Sequence, residues 1–384
     1  MTCASAAALA DWHAIQETDH VWGNARLTST TVTDLTSAKI RTTTYSYYGD
    51  NPQDPVVLHG LLKSIDGPLT GTQPDITSFE YRIDDAGPYK PGDLHKMTDA
   101  EGNIAEVLSY DGNGRPQEVR DPNGVLTTLT YHPRGWLASL DTAGAAWTFK
   151  HDNVGQIERI TSPVGDFVEY EYDDAHRLFK ATRSSGESLL FDSIDEFGNV
   201  ETIEFRDAVH AVKRTVETLH NSLGQLDAIN VVADASQTQT IDYDYDLSGN
   251  METVSGNGVD TYTNDYDARD RVTKITNALG DQTAYSYDAL DNITSVAPPV
   301  VDATTYSYNG FGERLTETSP DRGTTIYAQH DGLGNPGSVT DARGVTLAHG
   351  YDALGRLTSI DYPNDTDTSY QYDAGCLNGN ANGA

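Results

Sequence analysis

Tyr351-Asp352-Ala353-Leu354-Gly355-Arg356-Leu357-Thr358-Ser359-Ile360-Asp361 is the clearest copy of a unit that recurs through most of the chain. Tyr-Asp, or a close substitute, opens units at Tyr110, Tyr131, His151, Tyr172, Ile194, His220, Tyr245, Tyr266, Tyr287, Tyr308, His330, Tyr351 and Tyr372. Of the twelve intervals, ten are 20 to 22 residues. The other two, 26 and 25, flank His220 and read as loop insertions. A fixed period of this kind decides the architecture ahead of any other feature.

Each unit carries two punctuation marks. The first is Asp-x-x-Gly after the tyrosine, as in Asp111 to Gly114, Asp152 to Gly155, Asp331 to Gly334 and Asp352 to Gly355. Asp at the first position and Gly at the fourth suit a type I turn, because the carboxylate bonds amides ahead of it and Gly accepts the left-handed conformation that follows. The second mark comes ten or eleven residues after the tyrosine: Asp99 to Gly102, Asp121 to Gly124, Asp141 to Gly144, Asn277 to Gly280, Asp341 to Gly344. Two turns per unit leave two strands of about six residues.

The segments between turns agree. Tyr170-Glu171-Tyr172, Tyr285-Ser286-Tyr287 and Tyr370-Gln371-Tyr372 lead into their turns with alternating side chains. Both tyrosines of such a pair share one face of a strand, and the residue between them takes the other. The second strand carries apolar residues three apart: Leu137 and Leu140, Ile157 and Ile160, Val272 and Ile275, Leu357 and Ile360. Spacing three breaks the period of two, so either both faces are covered or a bulge realigns the second residue. One hairpin is marginal in water. Stacked hairpins bury their tyrosines as ladders and add their stabilities unit by unit.

Composition fits an all-β repeat array. Hydrophobic residues make up 37% of the 384, and Tyr at 22 outnumbers Phe at 8. The net charge of −33 repels a phosphate backbone, which argues against nucleic-acid binding. Two cysteines, Cys3 and Cys376, make neither a disulfide framework nor a zinc cluster. No run reaches the ~18 apolar residues of a membrane span. No basic residue precedes Arg26, so no signal peptide is visible.

In chain order, 1–22 is expected to be a helical lead-in, its helix running to about Gln16. Degenerate repeats fill 23–109, the array proper spans 110–377, and 378–384 reads as a disordered tail. The segment 206–240 is the least regular. The tail interrupts a unit just begun at Tyr372, which reads as an uncapped array.

Tyr-Asp-x-x-Gly-Arg-Leu-x-x-Ile-x-Asp-x-x-Gly, followed by Tyr-x-Tyr-Asp, resembles the YD repeat of RHS proteins, also found in toxin-complex subunits, wall-associated proteins and teneurins. The resemblance spans about Ile83 to Tyr372. His176, Asp270 and Asp291 stand where the turn glycine belongs. It implies a long antiparallel sheet that spirals into a shell around a toxin domain, in secreted proteins of intercellular competition. The Asp-Pro-x-Gly-Leu motif that closes such arrays is absent from the sequence, and Asp121-Pro122-Asn123-Gly124 reads as an ordinary turn.

Motifs for zinc peptidases, phosphate loops, nucleophile elbows and dinucleotide binding are missing from the sequence. No catalytic, cofactor-binding or metal-binding residue is singled out. The acidic turns Asp111-Gly112-Asn113-Gly114 and Asp246-Leu247-Ser248-Gly249-Asn250 lack a calcium-loop signature. The leading expectation is a non-catalytic structural protein, secreted or at the cell surface, whose partner is an encapsulated effector. The alternatives are a module binding cell-surface glycan through its tyrosines, and a glycoside hydrolase with its cleft in 206–240.

Overall fold

The computed structural model describes residues 16–23, 25–70, 74–85, 87–195, 197–234 and 237–373. Among them are 31 strands, from Gln16–Gly23 to Thr368–Ser369, one 3-10 turn at Val56–Leu58, and no α-helix. The pairings are antiparallel and join strands adjacent in sequence. The chain divides into two units: Met1–Val125 with Ser286–Ala384, and Leu126–Tyr285. The first holds two meanders, one from Gln16–Gly23 to Pro116–Arg120 and one from Ile293–Ala297 to Thr368–Ser369. The second is a single meander starting at Leu126–Tyr131.

The spacing of three is resolved by a bulge. Tyr351 pairs with Leu357, Gly350 with Ser359, and His349 with Ile360, which leaves Thr358 as the extra residue. Leu357 and Ile360 thereby face the same side as Tyr351. The same shift recurs at Tyr172 with Leu178, Tyr266 with Val272, and Tyr47 with Leu62. One residue inserted at a fixed place also adds local twist in every unit.

The two faces differ in chemistry. Cross-strand rows such as Phe149, Ile160 and Val168, or Tyr170, Ala181, Leu189 and Phe205, make one face apolar. The other face carries ion pairs, including Lys180 with Glu171 at 2.7 Å and Arg159 with Glu169. Among the described residues few apolar side chains are buried, Leu58, Tyr110, Val254 and Ala353 being examples. Stability is therefore spread along the array, as a sum of unit and neighbour contributions.

The tyrosines do not form ring-on-ring ladders as expected. Successive Tyr-Asp tyrosines lie two strands apart, roughly 9–10 Å, beyond the range of ring packing. Their recurring contact is hydroxyl to carbonyl. Tyr172 donates to the Ile157 carbonyl at 2.9 Å, Tyr266 to Met251 at 2.6 Å, and Tyr372 to Leu357 at 2.9 Å. Each bond ties a turn to the start of the strand before it. Ring-on-ring contact is seen at Tyr48 and Tyr81, with centroids 5.8 Å apart.

Two further expectations change. Gln16–Gly23 is a strand, not part of a helical lead-in, and it pairs with Arg26–Asp34. The rest of that expected helix, and the expected tail, lie outside the described residues. The long intervals around His220 are not loop insertions. The extra residues lengthen the strands Val212–His220, Leu226–Asp234 and Gln237–Tyr245 to nine residues each.

Backbone geometry at the turns yields a paired test. Gly114 has φ of +79° while Gly112, two residues earlier in the same turn, does not occupy the left-handed region; both have open space for a Cβ. Gly114→Ala should cost about 1–2 kcal/mol by chemical denaturation. Gly112→Ala should stay within about 0.5 kcal/mol of wild type. Equal costs would refute this account of the turn.

Candidate functional site

The repeated chemistry of the chain sits in the Tyr-Asp turn. In the turn opened by Tyr351, Asp352 Oδ1 accepts the amides of Leu354 at 3.0 Å and Arg356 at 2.9 Å. Its Oδ2 accepts Arg356 Nε at 2.7 Å. Arg at the fifth position of the turn repeats this pairing at Asp111 and Asp267, and Asn does so at Asp195, Asp246 and Asp331. The acidic turns at Asp111 and Asp246 thus spend their oxygens within the turn.

The electrostatics follow. The Arg115 and Arg271 guanidiniums, helped by turn amides, hold Asp111 and Asp267 down at about 2. Burial raises Asp152 and Asp352, but the amides ahead of each outweigh it and the net shift is downward. Tyr110 moves the other way: burial pushes it up to about 12. Its hydroxyl donates to the Leu94 carbonyl at 2.6 Å.

Where the turn lacks glycine, the backbone is unchanged. His176, Asp270 and Asp291 have φ of 62°, 59° and 67°. Bonds from a neighbouring unit accompany His176 and Asp270. Gln156 Nε2 donates to the His176 carbonyl at 2.7 Å, and Asn250 Nδ2 to Asp270 at 2.8 Å. Asp207 to His210, in the segment expected to be least regular, closes as a tight turn with φ of 64° at His210.

Within the first unit the same turns serve a second purpose. Its two meanders meet along a seam in which three Tyr-Asp turns of the later meander rest on loops of the earlier one. The Gly310 amide donates to Asp34, which is fully buried. Burial raises the Asp34 carboxyl, yet the Ser37 hydroxyl and the amides of Thr36, Ser37 and Gly310 bring it below its ordinary value. Arg41 lies over the Phe311 ring, 4.1 Å from its centroid, pairs with Glu313, and donates to the Asp331 carbonyl at 2.8 Å. Gly332 faces Pro68 so closely that a Cβ would fall 2.2 Å from the Pro68 carbonyl oxygen. Glu101 accepts the Ala353 amide at 2.8 Å. The contacts keep chain order on both sides: Asp34, Pro68 and Glu101 meet Gly310, Gly332 and Ala353.

The RHS Repeat family model matches residues 110–146, 266–299 and 330–367. These three stretches are RHS repeats. All three matched stretches contain the Tyr-Asp turn and the strand that follows its bulge. The sequence matches no curated protein. The RHS/YD fold is similar to the TcdB2-TccC3-Cdc42 crystal structure, with TM-score 0.52 and 15% identity, covering 92% of this chain and 19% of that one. It is also similar to the Photorhabdus luminescens Tc holotoxin pore, with TM-score 0.51, 15% identity and the same coverages. The chain thus spans about a fifth of the length of these structures. No described helix is long and apolar enough to cross a membrane.

Two outcomes check this site. Carboxyls held low in the fold contribute stability that is complete above their unfolded values near 3.9 and lost as pH falls through the folded ones. Thermal midpoints should therefore hold from pH 7 to about 5 and drop between about pH 4 and pH 2. A midpoint unchanged at pH 2 would count against the turns. Gly332→Ala should speed hydrogen exchange at the Gly310 and Ala353 amides while leaving exchange in Leu126–Tyr285 unaltered. Unchanged rates at both amides would remove Gly332 from the seam.

Proposed function

We propose that this chain is a non-catalytic segment of an RHS-type shell wall, and that the wall encloses or presents a secreted effector. The observation that carries the reading is the uncovered apolar face. In the second unit, Val168, Tyr170, Leu189, Phe191 and Phe205 line a hollow of about 640 Å³, with Arg183 and Lys213 at its rim. These residues come from consecutive strands and occupy the tyrosine side of the sheet. A wall with one apolar and one ion-paired face suits the holding of a polypeptide that has no core of its own.

The alternatives gain less support. The hydroxyls of Tyr172, Tyr245 and Tyr266 are spent on carbonyls of the preceding strand, which removes from those rings the polar handle a sugar-stacking face would use. The described residues of 206–240 form paired antiparallel strands, and Asp207 is paired with Lys213 at 2.9 Å. That is not a pair of converging free carboxylates of the kind glycoside hydrolysis requires.

The test is expression together with the coding sequence that flanks this one. Limited proteolysis should leave the flanking effector segment intact while the array stays folded, and release it once the array is unfolded. Digestion of that segment at the same rate with and without the folded array would overturn the reading.

A further inference from the structure

The turn opened by Tyr131 departs from the repeat at two positions, a third departure lies in the next unit, and the three touch. Of the thirteen units opened from Tyr110 to Tyr372, ten carry Asp after the opening residue and two carry Asn, at Asn221 and Asn309. His132 is the remaining one. Trp136 holds the fifth position of its turn, where Arg115 and Asn199 pair with their turn aspartates. His151 stands where the next unit would have its tyrosine. The His132 and Trp136 rings stack, with centroids 5.2 Å and planes 13° apart. His151 lies against Trp136 with centroids 5.5 Å apart. The indole also packs on Gly155, where a Cβ would fall 2.6 Å from the ring.

The backbone of this turn is nevertheless the common one. The Gly135 amide donates to the His132 carbonyl at 2.7 Å, and the His132 amide to the Trp136 carbonyl at 2.8 Å. What changes is the acceptor ahead. Asp111, Asp152, Asp173 and Asp195 each take the amide two residues on with a carboxylate oxygen, at 2.8 to 2.9 Å. His132 takes the Arg134 amide with Nδ1, at 3.3 Å. A ring nitrogen that accepts an N–H carries no proton of its own. The bond therefore exists only while the imidazole is neutral.

Imidazole is the side chain whose charge ordinarily changes between about pH 5 and 8. The carboxyls of Asp111, Asp152 and Asp173 are held below their ordinary range and stay ionised through that window. The other charged and titratable groups around His132 are few. Arg134, on the same turn, lies 5.6 Å from the Trp136 ring centroid and donates to the Asn153 carbonyl. The turn packed against Trp136 brings His151 and Asp152, and Asp152 spends Oδ1 on the amides of Val154, Gly155 and Gln156.

We propose that the His132 turn is a proton-operated joint in the sheet, which releases the Arg134 amide on mild acidification while the carboxylate turns hold. Protonation exchanges the amide bond for an imidazolium–indole contact, since a cation over the face of Trp is attracted to it. The stack keeps His132 in place. Arg134, a like charge on the same indole, is the residue that moves away, so the loosening is confined to 133–135. The bond is whole at the upper end of the window and lost as pH falls through it. The proposal is independent of what the wall encloses.

Residue-resolved hydrogen exchange of the full chain tests it, read as protection relative to the unstructured rate at each pH. Protection of the Arg134 amide should fall roughly tenfold from about pH 7.5 to about pH 5, the scale of one hydrogen bond. The Val154 and Ala175 amides hold the same place in carboxylate turns and should keep their protection. His132→Asn supplies the non-titrating acceptor that Asn221 and Asn309 offer to Leu223 and Phe311, and it should keep Arg134 protected at both pH values. His132→Asp, the repeat's usual residue, should do the same. His151→Tyr restores the repeat residue and should leave the response in place. Equal Arg134 protection at both pH values in wild type overturns the proposal, as does a response that survives in both His132 variants or vanishes with His151→Tyr. An equal loss at Val154 and Ala175 overturns it too, since the whole sheet would then be loosening.

Discussion

The turn carboxylate is the constraint on which the rest of this structure depends. Asp352 gathers two amides on one oxygen and an arginine on the other, all from the four residues that follow it. That fixes where the next strand starts, since Leu357 is the first residue free to pair. The fixed start sets the bulge at Thr358, and the bulge brings Ile360 to the tyrosine face. The next tyrosine, Tyr372, then reaches back to the Leu357 carbonyl at 2.9 Å. One short-range polar cluster thus sets the register of a sheet that has no deep core to set it by packing.

Such a sheet must still deal with its edges, and the chain does so in three ways. In the earlier meander of the first unit, long loops close over the Tyr-Asp edge. Leu58 is buried there, Tyr48 donates to the Phe79 carbonyl at 3.1 Å, and the Tyr110 amide donates to Pro88 at 2.7 Å. In the later meander the same edge is covered by the seam instead. In the second unit the turns stay tight and their tips stay in solvent. The turn backbone is common to all three solutions; the residue at the tip and the length of the loop distinguish them.

Much of this was legible in the residues. The period, the two turns and the shared face of Tyr170 and Tyr172 follow from spacing alone. The choice between covered faces and a bulge did not, because Leu357 and Ile360 at spacing three fit both, and only the pairing of Tyr351 with Leu357 separates them. Left-handed His176, Asp270 and Asp291 were visible as departures, while the bonds from Gln156 and Asn250 that accompany two of them come from neighbouring units about twenty residues away. Gln16–Gly23 was misread because an Ala-rich start weighs toward helix, whereas its pairing with Arg26–Asp34 is a tertiary matter. The seam left no local trace. Arg41 and Glu101 are ordinary strand and turn residues until partners near 313 and 353 arrive, and nothing in a short window reports a contact across more than two hundred residues.

The direction of the titration shifts bears on what kind of protein such a chain can be. Every aspartate with a resolved shift is held below its ordinary value, by amides or a cation of its own turn or an adjoining loop. A carboxyl that must give up a proton to a substrate needs the opposite shift, raised toward the working pH. The tyrosines with resolved shifts are raised, and Tyr172, Tyr245 and Tyr351 among them donate to backbone carbonyls. The arrangement that makes each turn rigid therefore keeps its carboxyl ionised rather than poised to donate a proton. Beside these turns the chain presents an apolar face, an ion-paired face, and in its first unit two rims of turns that fit one another.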